Sequence, residues 1–260
     1  MELITPTTRQ GGRRSRLGGV PTALPPNDDA ADEHQLSLGI PDAERPRGPR
    51  RVMTDVVHVA GWLDLDAQRR LVDEFRCWGL PPAGLRHPRV PTGHLMSVQS
   101  VCLGWHWQPY AYSRTADDTD GAPVKPLPDT LKELARRAVV DAYGDRSPDA
   151  SAFSPDAAIV NLYAGDARLG LHRDGEEPSE APVVTIAIGD VCTFRLAGVD
   201  RRTGPFVDVT MRSGDLLVFG GVNRRIYHGV PKVFAGTAPG GLGLVRGRLS
   251  ITVRETGLSG

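Results

Sequence analysis

Arg248-Leu-Ser-Ile-Thr-Val-Arg254 alternates polar and apolar side chains without a break. A period of two marks a β-strand with one face on an apolar layer. Leu249, Ile251 and Val253 share one face, suited to packing outward against helices, while Arg248, Ser250, Thr252 and Arg254 share the other and point into whatever the strand encloses. Two inward guanidiniums without partners would be very costly, so the polar face implies an anionic ligand. Ala158-Ile-Val-Asn-Leu-Tyr163 repeats the pattern, with an amide and a phenol, Asn161 and Tyr163, two residues apart on one face.

Between these two runs the same period recurs in Leu169–His172, Val183–Ile188, Thr193–Leu196, Phe206–Met211, Asp215–Phe219 and Ile226–His228, separated by Gly, Pro and Asp turns. About eight short strands of this kind predict a double-sheet jelly roll, or double-stranded β-helix. Upstream, Asp64 or Asp66 is placed to cap a helix running to about Trp78, with Leu71, Val72 and Phe75 inward and Gly79 as the stop. Pro128-Asp129 opens a second helix, whose stripe Leu131, Leu134, Ala135, Ala138, Val139, Ala142 ends at Gly144. Residues 81–126 are rich in Pro and aromatics and read as short strands and long loops. The class is therefore mainly β with flanking helices (α+β). Residues 1–50, rich in Gly, Pro, Arg, Asp and Ala, predict a disordered tail, with order from near Val52 and one domain over 51–260. Gly236–Gly243 reads as a loop.

Lysine plus arginine and aspartate plus glutamate balance at 31 each, so no global field draws the chain to nucleic acid or to an anionic membrane. Cys77, Cys102 and Cys192 form no Cys-x-x-Cys pair, which fits a reducing compartment better than a disulfide framework. With no signal-like or membrane-spanning stretch, a cytoplasmic monomer is expected.

His172-Arg-Asp174 places an imidazole and a carboxylate on one side of a chain leaving a strand, and His228 lies in a later strand. Two imidazoles and one carboxylate can hold an octahedral iron(II) and leave its opposite face open for a co-substrate and oxygen. Arg248 and Arg254 supply forks for the carboxylates of such a co-substrate. Plainer readings stand beside these: His172 and Asp174 as a hydrogen-bonded structural pair, and strand-end arginines as surface ion pairs.

Asn161-Leu-Tyr163-Ala-Gly-Asp-Ala-Arg-Leu-Gly-Leu-His172-Arg-Asp174-Gly-Glu176-Glu-Pro resembles the signature of the AlkB family of iron(II)- and 2-oxoglutarate-dependent dioxygenases. Similarity continues in Met96-Ser-Val, Leu103-Gly-Trp105, Tyr110-Ala-Tyr112-Ser, Gly214-Asp-Leu-Leu-Val-Phe-Gly-Gly, Tyr227-His228-Gly229 and Arg248–Arg254, in order over roughly residues 85–256. The resemblance implies His172, Asp174 and His228 as iron(II) ligands. It implies Arg248, Ser250 and Tyr163 around the distal carboxylate of 2-oxoglutarate, and Arg254 and Asn161 at its chelating end. Ser250 departs from the asparagine of the bacterial repair enzymes.

For the substrate, the resemblance implies a nucleotide-recognition region at about 85–126. Trp105 would stack on an extruded base and Glu176, in place of an expected aspartate, would meet its exocyclic amine. Met96 would line the pocket, and Tyr110, Tyr112 and Arg201 would meet the nucleotide. A core role for Trp105 is the plainer alternative. The implied activity is removal of N-methyl lesions, 1-methyladenine and 3-methylcytosine, from single-stranded DNA, with formaldehyde, succinate and carbon dioxide released. RNA or another substrate under the same iron chemistry is the alternative, as is a non-catalytic jelly-roll binding module.

Overall fold

Antiparallel pairing of the alternating strands builds two sheets that face each other. The computed structural model describes residues 48–244 and 246–259. The chain runs through β1 (Gly48–Met53), β2 (Val56–Ala60), α1 (Leu65–Trp78), β3 (Gln99–Leu103), β4 (His106–Gln108), β5 (Ala111–Ser113), α2 (Asp129–Tyr143) and α3 (Pro148–Ala152). It continues through β6 (Ala157–Tyr163), β7 (Leu169–His172), β8 (Val183–Gly189), β9 (Val191–Leu196), β10 (Val207–Met211), β11 (Leu216–Phe219), β12 (His228–Phe234) and β13 (Arg248–Arg254). The major sheet has seven strands in the order β1-β2-β11-β8-β13-β6-β3, and the minor sheet has four, β10-β9-β12-β7. β4 and β5 form a separate hairpin.

β13 sits inside the major sheet, paired antiparallel with β6 and β8. Its Leu249, Ile251 and Val253 pack in one apolar cluster with Leu71, Val72 and Phe75 of α1 and Leu131, Ala135 and Val139 of α2. A second cluster lies between the sheets, with Tyr163, Leu217 and Phe219 on one side and Cys192, Phe194, Leu196 and Met211 on the other. The alternation in β13 is thus the division between a helix-covered outer face and an enclosed inner face. Asp64 caps α1 by accepting the Ala67 N–H at 2.8 Å, and α2 follows the expected stripe.

Three expectations shift. Residues 1–47 of the expected tail lie outside the described residues, but Gly48–Arg50 already belong to β1. This edge strand is held by backbone pairing with β2 more than by side-chain burial, so its polar sequence hides it. The last strand of the minor sheet begins at His228 rather than ending there: Ile226 still donates back to the Asn223 carbonyl, and the Tyr227 backbone bonds to Ala197 and Gly198 beyond the end of β9. Pro231 lies inside that strand, where the register against β9 slips between Gly229 and Lys232, a bulge that accommodates the missing N–H. The short helix α3 carries no apolar stripe of its own to announce it. The 236–243 segment is a loop, and no helix among the described residues is long and apolar enough to cross a membrane.

The turn from β3 into β4 depends on Gly104. Its φ is +79°, and a Cβ there would stand 1.9 Å from the carbonyl oxygen of Asp156. A Gly104→Ala variant is therefore expected to lose about 2–4 kcal/mol, from the left-handed backbone and the clash together. Urea denaturation checks this; an unchanged midpoint would show that the turn relaxes freely.

Candidate active site

Pairing of β7 with β12 brings the two histidines together, since His172 and His228 are direct cross-strand partners. Their ring centroids lie 4.4 Å apart. Asp174 follows two residues after His172, as the chain leaves the strand, and is buried. One ligand atom from each of His172, Asp174 and His228 falls within 4.8 Å of the others. His172 Nδ1 lies 3.0 Å from the Gly170 carbonyl and His228 Nδ1 lies 3.1 Å from that of Ile226. A carbonyl only accepts, so each Nδ1 carries the proton and each Nε2 keeps its lone pair for a metal.

The charge states agree with that role. Burial first, then the neighbouring His172, pushes His228 down to about 4, so its ring is neutral near pH 7. Burial opposes ionisation of Asp174, but Arg254 and then His228 and His172 outweigh it and hold the carboxyl well below the usual range. The donor set is two imidazoles and a carboxylate, the set that suits iron(II) with open positions. Phe194 stacks parallel to the His228 ring and Phe219 tilts against it, closing the apolar side.

The inner face of β13 supplies the second half of the site. Tyr163 stands beside Arg248 and Asn161 beside Ser250 across the β6 pairing. Arg248 is fully buried; its Nη1 donates to the Asp190 carbonyl at 3.3 Å, while Nε and Nη2 have no hydrogen-bond partner among the described residues. A guanidinium in that condition fits a carboxylate ligand, because an unpaired buried charge would otherwise be strongly destabilising. Burial, opposed by Arg248, raises the Tyr163 phenol well above its ordinary value, so it stays a neutral donor. Arg254 is placed differently. Its Nη2 lies 3.0 Å from Asp174 Oδ2 and its Nη1 donates to Glu177 Oε1 at 2.7 Å, so it braces the metal-binding carboxylate from behind. The Ser100 hydroxyl donates to Asn161 Oδ1 at 2.6 Å, which orients that amide.

A cavity of ≈ 470 Å³ opens over these groups, with Asn161, Tyr163, His172, Asp174, Ser250 and Arg254 on its walls. Met96, Tyr110 and Glu176 line it too. Tyr110 is 75% exposed with φ of +73°, at the tip of the β4–β5 hairpin. Arg248 does not reach the cavity wall.

Three expected substrate contacts lie elsewhere. Trp105 is buried in the Gly104 turn, where its Nε1 donates to Asp156 at 3.1 Å and the Arg114 guanidinium covers its ring at 3.5 Å. Trp107, two residues on in β4, lines the cavity instead. Tyr112 is turned inward, its hydroxyl donating to Glu177 and receiving Arg254 Nη1. Arg201 is absent from the cavity wall, whereas its neighbour Arg202 is on it, facing the Tyr227 ring that Arg173 also approaches. Trp107, Arg202 and the buried Glu177 are not singled out by the sequence. A strand beginning at His106 would have pointed to Trp107; nothing local singles out Glu177.

Comparison with known proteins adds independent support. A model of the 2OG-Fe(II) oxygenase superfamily matches residues 55–254. The chain is 35% identical over 218 residues to the Arabidopsis thaliana DNA N(6)-methyladenine demethylase ALKBH1D, covering 77% of this chain and 49% of that one. It is 35% identical over 175 residues to the Escherichia coli alpha-ketoglutarate-dependent dioxygenase AlkB, covering 65% of this chain and 76% of that one. The solved structure of OsALKBH1 superposes with a TM-score of 0.71 at 28% identity, over 80% of this chain and 99% of that one. The chain spans about half the length of the plant relatives it matches. The superfamily match runs from the turn before β2 to the last residue of β13, so it takes in the histidine pair, Asp174 and both inward arginines at once. The chain therefore belongs to the AlkB family of 2OG-Fe(II) oxygenases, with iron(II) and 2-oxoglutarate as the metal and co-substrate its site is built to hold.

Proposed function

We propose that this protein is an oxidative demethylase of nucleic acid that removes N-methyl groups from 1-methyladenine and 3-methylcytosine in single-stranded DNA. The observation that carries the reading is the placing of Trp107, Tyr110, Met96 and Glu176 in one cavity with the His172–Asp174–His228 triad. An aromatic and a carboxylate at one pocket suit a flat cationic base. The names of the Arabidopsis relatives favour a second substrate, N(6)-methyladenine.

His172, Asp174 and His228 would hold the iron, with Arg254 and Glu177 keeping Asp174 ionised and aimed. Arg248, Tyr163 and Ser250 would bind the distal carboxylate of 2-oxoglutarate, and Asn161 and Arg254 would steady its other end. Iron(II) with 2-oxoglutarate and oxygen supplies hydroxylation of the N-methyl carbon, after which formaldehyde leaves and succinate and carbon dioxide remain. Trp107 would stack on the extruded base, the role the sequence suggested for Trp105. Glu176 would accept from its exocyclic amine, while Tyr110 and Arg202 at the mouth would meet the flanking phosphates.

Formaldehyde release from single-stranded oligonucleotides carrying 1-methyladenine, 3-methylcytosine or N(6)-methyladenine, and from a methylated RNA, tests this directly. Release from the first two, falling at least about a hundredfold in Asp174→Ala, is the expected result. Release from N(6)-methyladenine alone would move the assignment to the second substrate, and no release from any would sink it.

Arg248→Met separates co-substrate binding from folding. Replacing a partly unpaired buried charge by an apolar chain is expected to leave the free protein's Tm unchanged or higher. The rise in Tm that 2-oxoglutarate produces with manganese(II) should vanish. A retained ligand shift would remove Arg248 from the co-substrate site. Trp107→Ala is expected to raise KM for the methylated oligonucleotide about 10- to 100-fold, the worth of one stacked base. Trp105→Ala should lower Tm and leave KM within about twofold; the reverse pattern would restore Trp105 as the stacking residue.

A further inference from the structure

β4 has three residues and pairs only with β5, a hairpin too short to hold its own shape. Something else must fix Trp107, which sits opposite Tyr112 in that hairpin. Both backbone groups of Trp107 are engaged outside the ladder. Its N–H donates to Cys102 Sγ at 3.3 Å, and its carbonyl accepts from Arg86 Nη2.

Arg86 is buried, at 8% exposure, and every nitrogen of its guanidinium is in use. Nε faces both Asp118 oxygens at 3.0 and 3.1 Å, and Nη1 donates to the Ser100 carbonyl at 3.0 Å and reaches Cys102 Sγ at 3.5 Å. His106 Nε2 lies 2.6 Å from Asp118 Oδ1, closing the cluster behind the hairpin. The residue itself is bridged to β3 through Arg86 N–H to Ser100 O and Ser100 N–H to Arg86 O. One planar fork therefore ties β3, the β4 backbone and the loop carrying Asp118 into a single unit. None of these groups touches the cavity.

We infer that Arg86 is a positioning residue for substrate recognition: by clamping the Trp107 carbonyl against β3 and Asp118, it sets the Trp107 ring across the cavity. The inference rests on the reading of that cavity as the base-binding site, and it locates part of substrate selectivity in a buried cluster remote from the metal. A lysine in place of Arg86 keeps the charge opposite Asp118 but lacks the fork that reaches Trp107, so Arg86→Lys is the informative variant. Cys102→Ala removes the acceptor for the Trp107 N–H, and with it one contact of Arg86 Nη1, while leaving the Arg86–Asp118 pair in place, and serves as the second.

The test uses the full chain labelled with 5-fluorotryptophan, which carries four tryptophans, with the Trp107 resonance assigned by Trp107→Phe. Both variants should shift or broaden that resonance and leave those of Trp62 and Trp78 in place. KM for the methylated oligonucleotide should rise about tenfold with a smaller change in kcat, and Arg86→Lys should add little to Trp107→Ala in a double-mutant cycle. An unmoved Trp107 resonance, additive effects, or movement of all four resonances with a fallen Tm would each overturn the inference. The fluorine spectrum decides it even if wild type demethylates none of the oligonucleotides, an outcome that would count against the proposed function alone.

Discussion

Two arginines held inside a β-barrel are the constraint on which the rest of this molecule turns. β13 buries Arg248 and Arg254 on the same face, at positions where a solvated guanidinium is impossible. Burial of charge must be balanced, and the two are balanced differently. Arg254 is answered from within the protein, by Asp174 and Glu177. Arg248 keeps two nitrogens without partners among the described residues, beside the neutral phenol of Tyr163. One strand thereby orients a metal-binding carboxylate at one end and offers a carboxylate site at the other.

The carboxylates near the metal site show how the charge is kept. Asp174 and Glu177 would repel one another, yet both are held below their ordinary pKa despite burial, because Arg254 lies between them, helped at Glu177 by the Tyr112 hydroxyl and at Asp174 by the two histidines and Arg224. Burial alone would protonate a carboxyl and weaken it as a ligand. Glu177 and Tyr112, which contact no cavity space, act on the site by fixing Arg254. The histidines are treated in the opposite sense: burial keeps His228 neutral, and backbone carbonyls select the tautomer of both rings.

The histidine pair and the inward arginines sit on the barrel, whereas the residues around the mouth of the cavity sit on the hairpin and loops outside it. The barrel residues are placed by ladder register, which offers few alternatives once one face is apolar. The hairpin is too short for register to suffice, and side chains of distant segments, Arg86, Asp118 and Cys102, do the placing. The placing of Trp107 is accordingly set by residues that never touch the cavity.

Alternation in 158–163 and 248–254 by itself determined two central strands, the inward face of Arg248, Ser250, Thr252 and Arg254, and through His172-x-Asp174 one side of the metal site. These are short-range facts, since a period of two assigns faces wherever a strand forms. His228 was legible as a companion of His172 and Asp174 although its strand was misjudged, because Pro231 disguises a strand that tolerates it through a bulge. Tertiary structure alone decided which tryptophan meets the cavity: Gly104 turns the chain so that Trp105 lands against Asp156 and Trp107 inherits the pocket. It decided likewise between Arg201 and Arg202, and between Tyr112 as a surface contact and Tyr112 as a buried brace. In those places no periodic pattern chooses a face; the outcome depends on which distant partner a side chain meets, and that is set only when the sheets close.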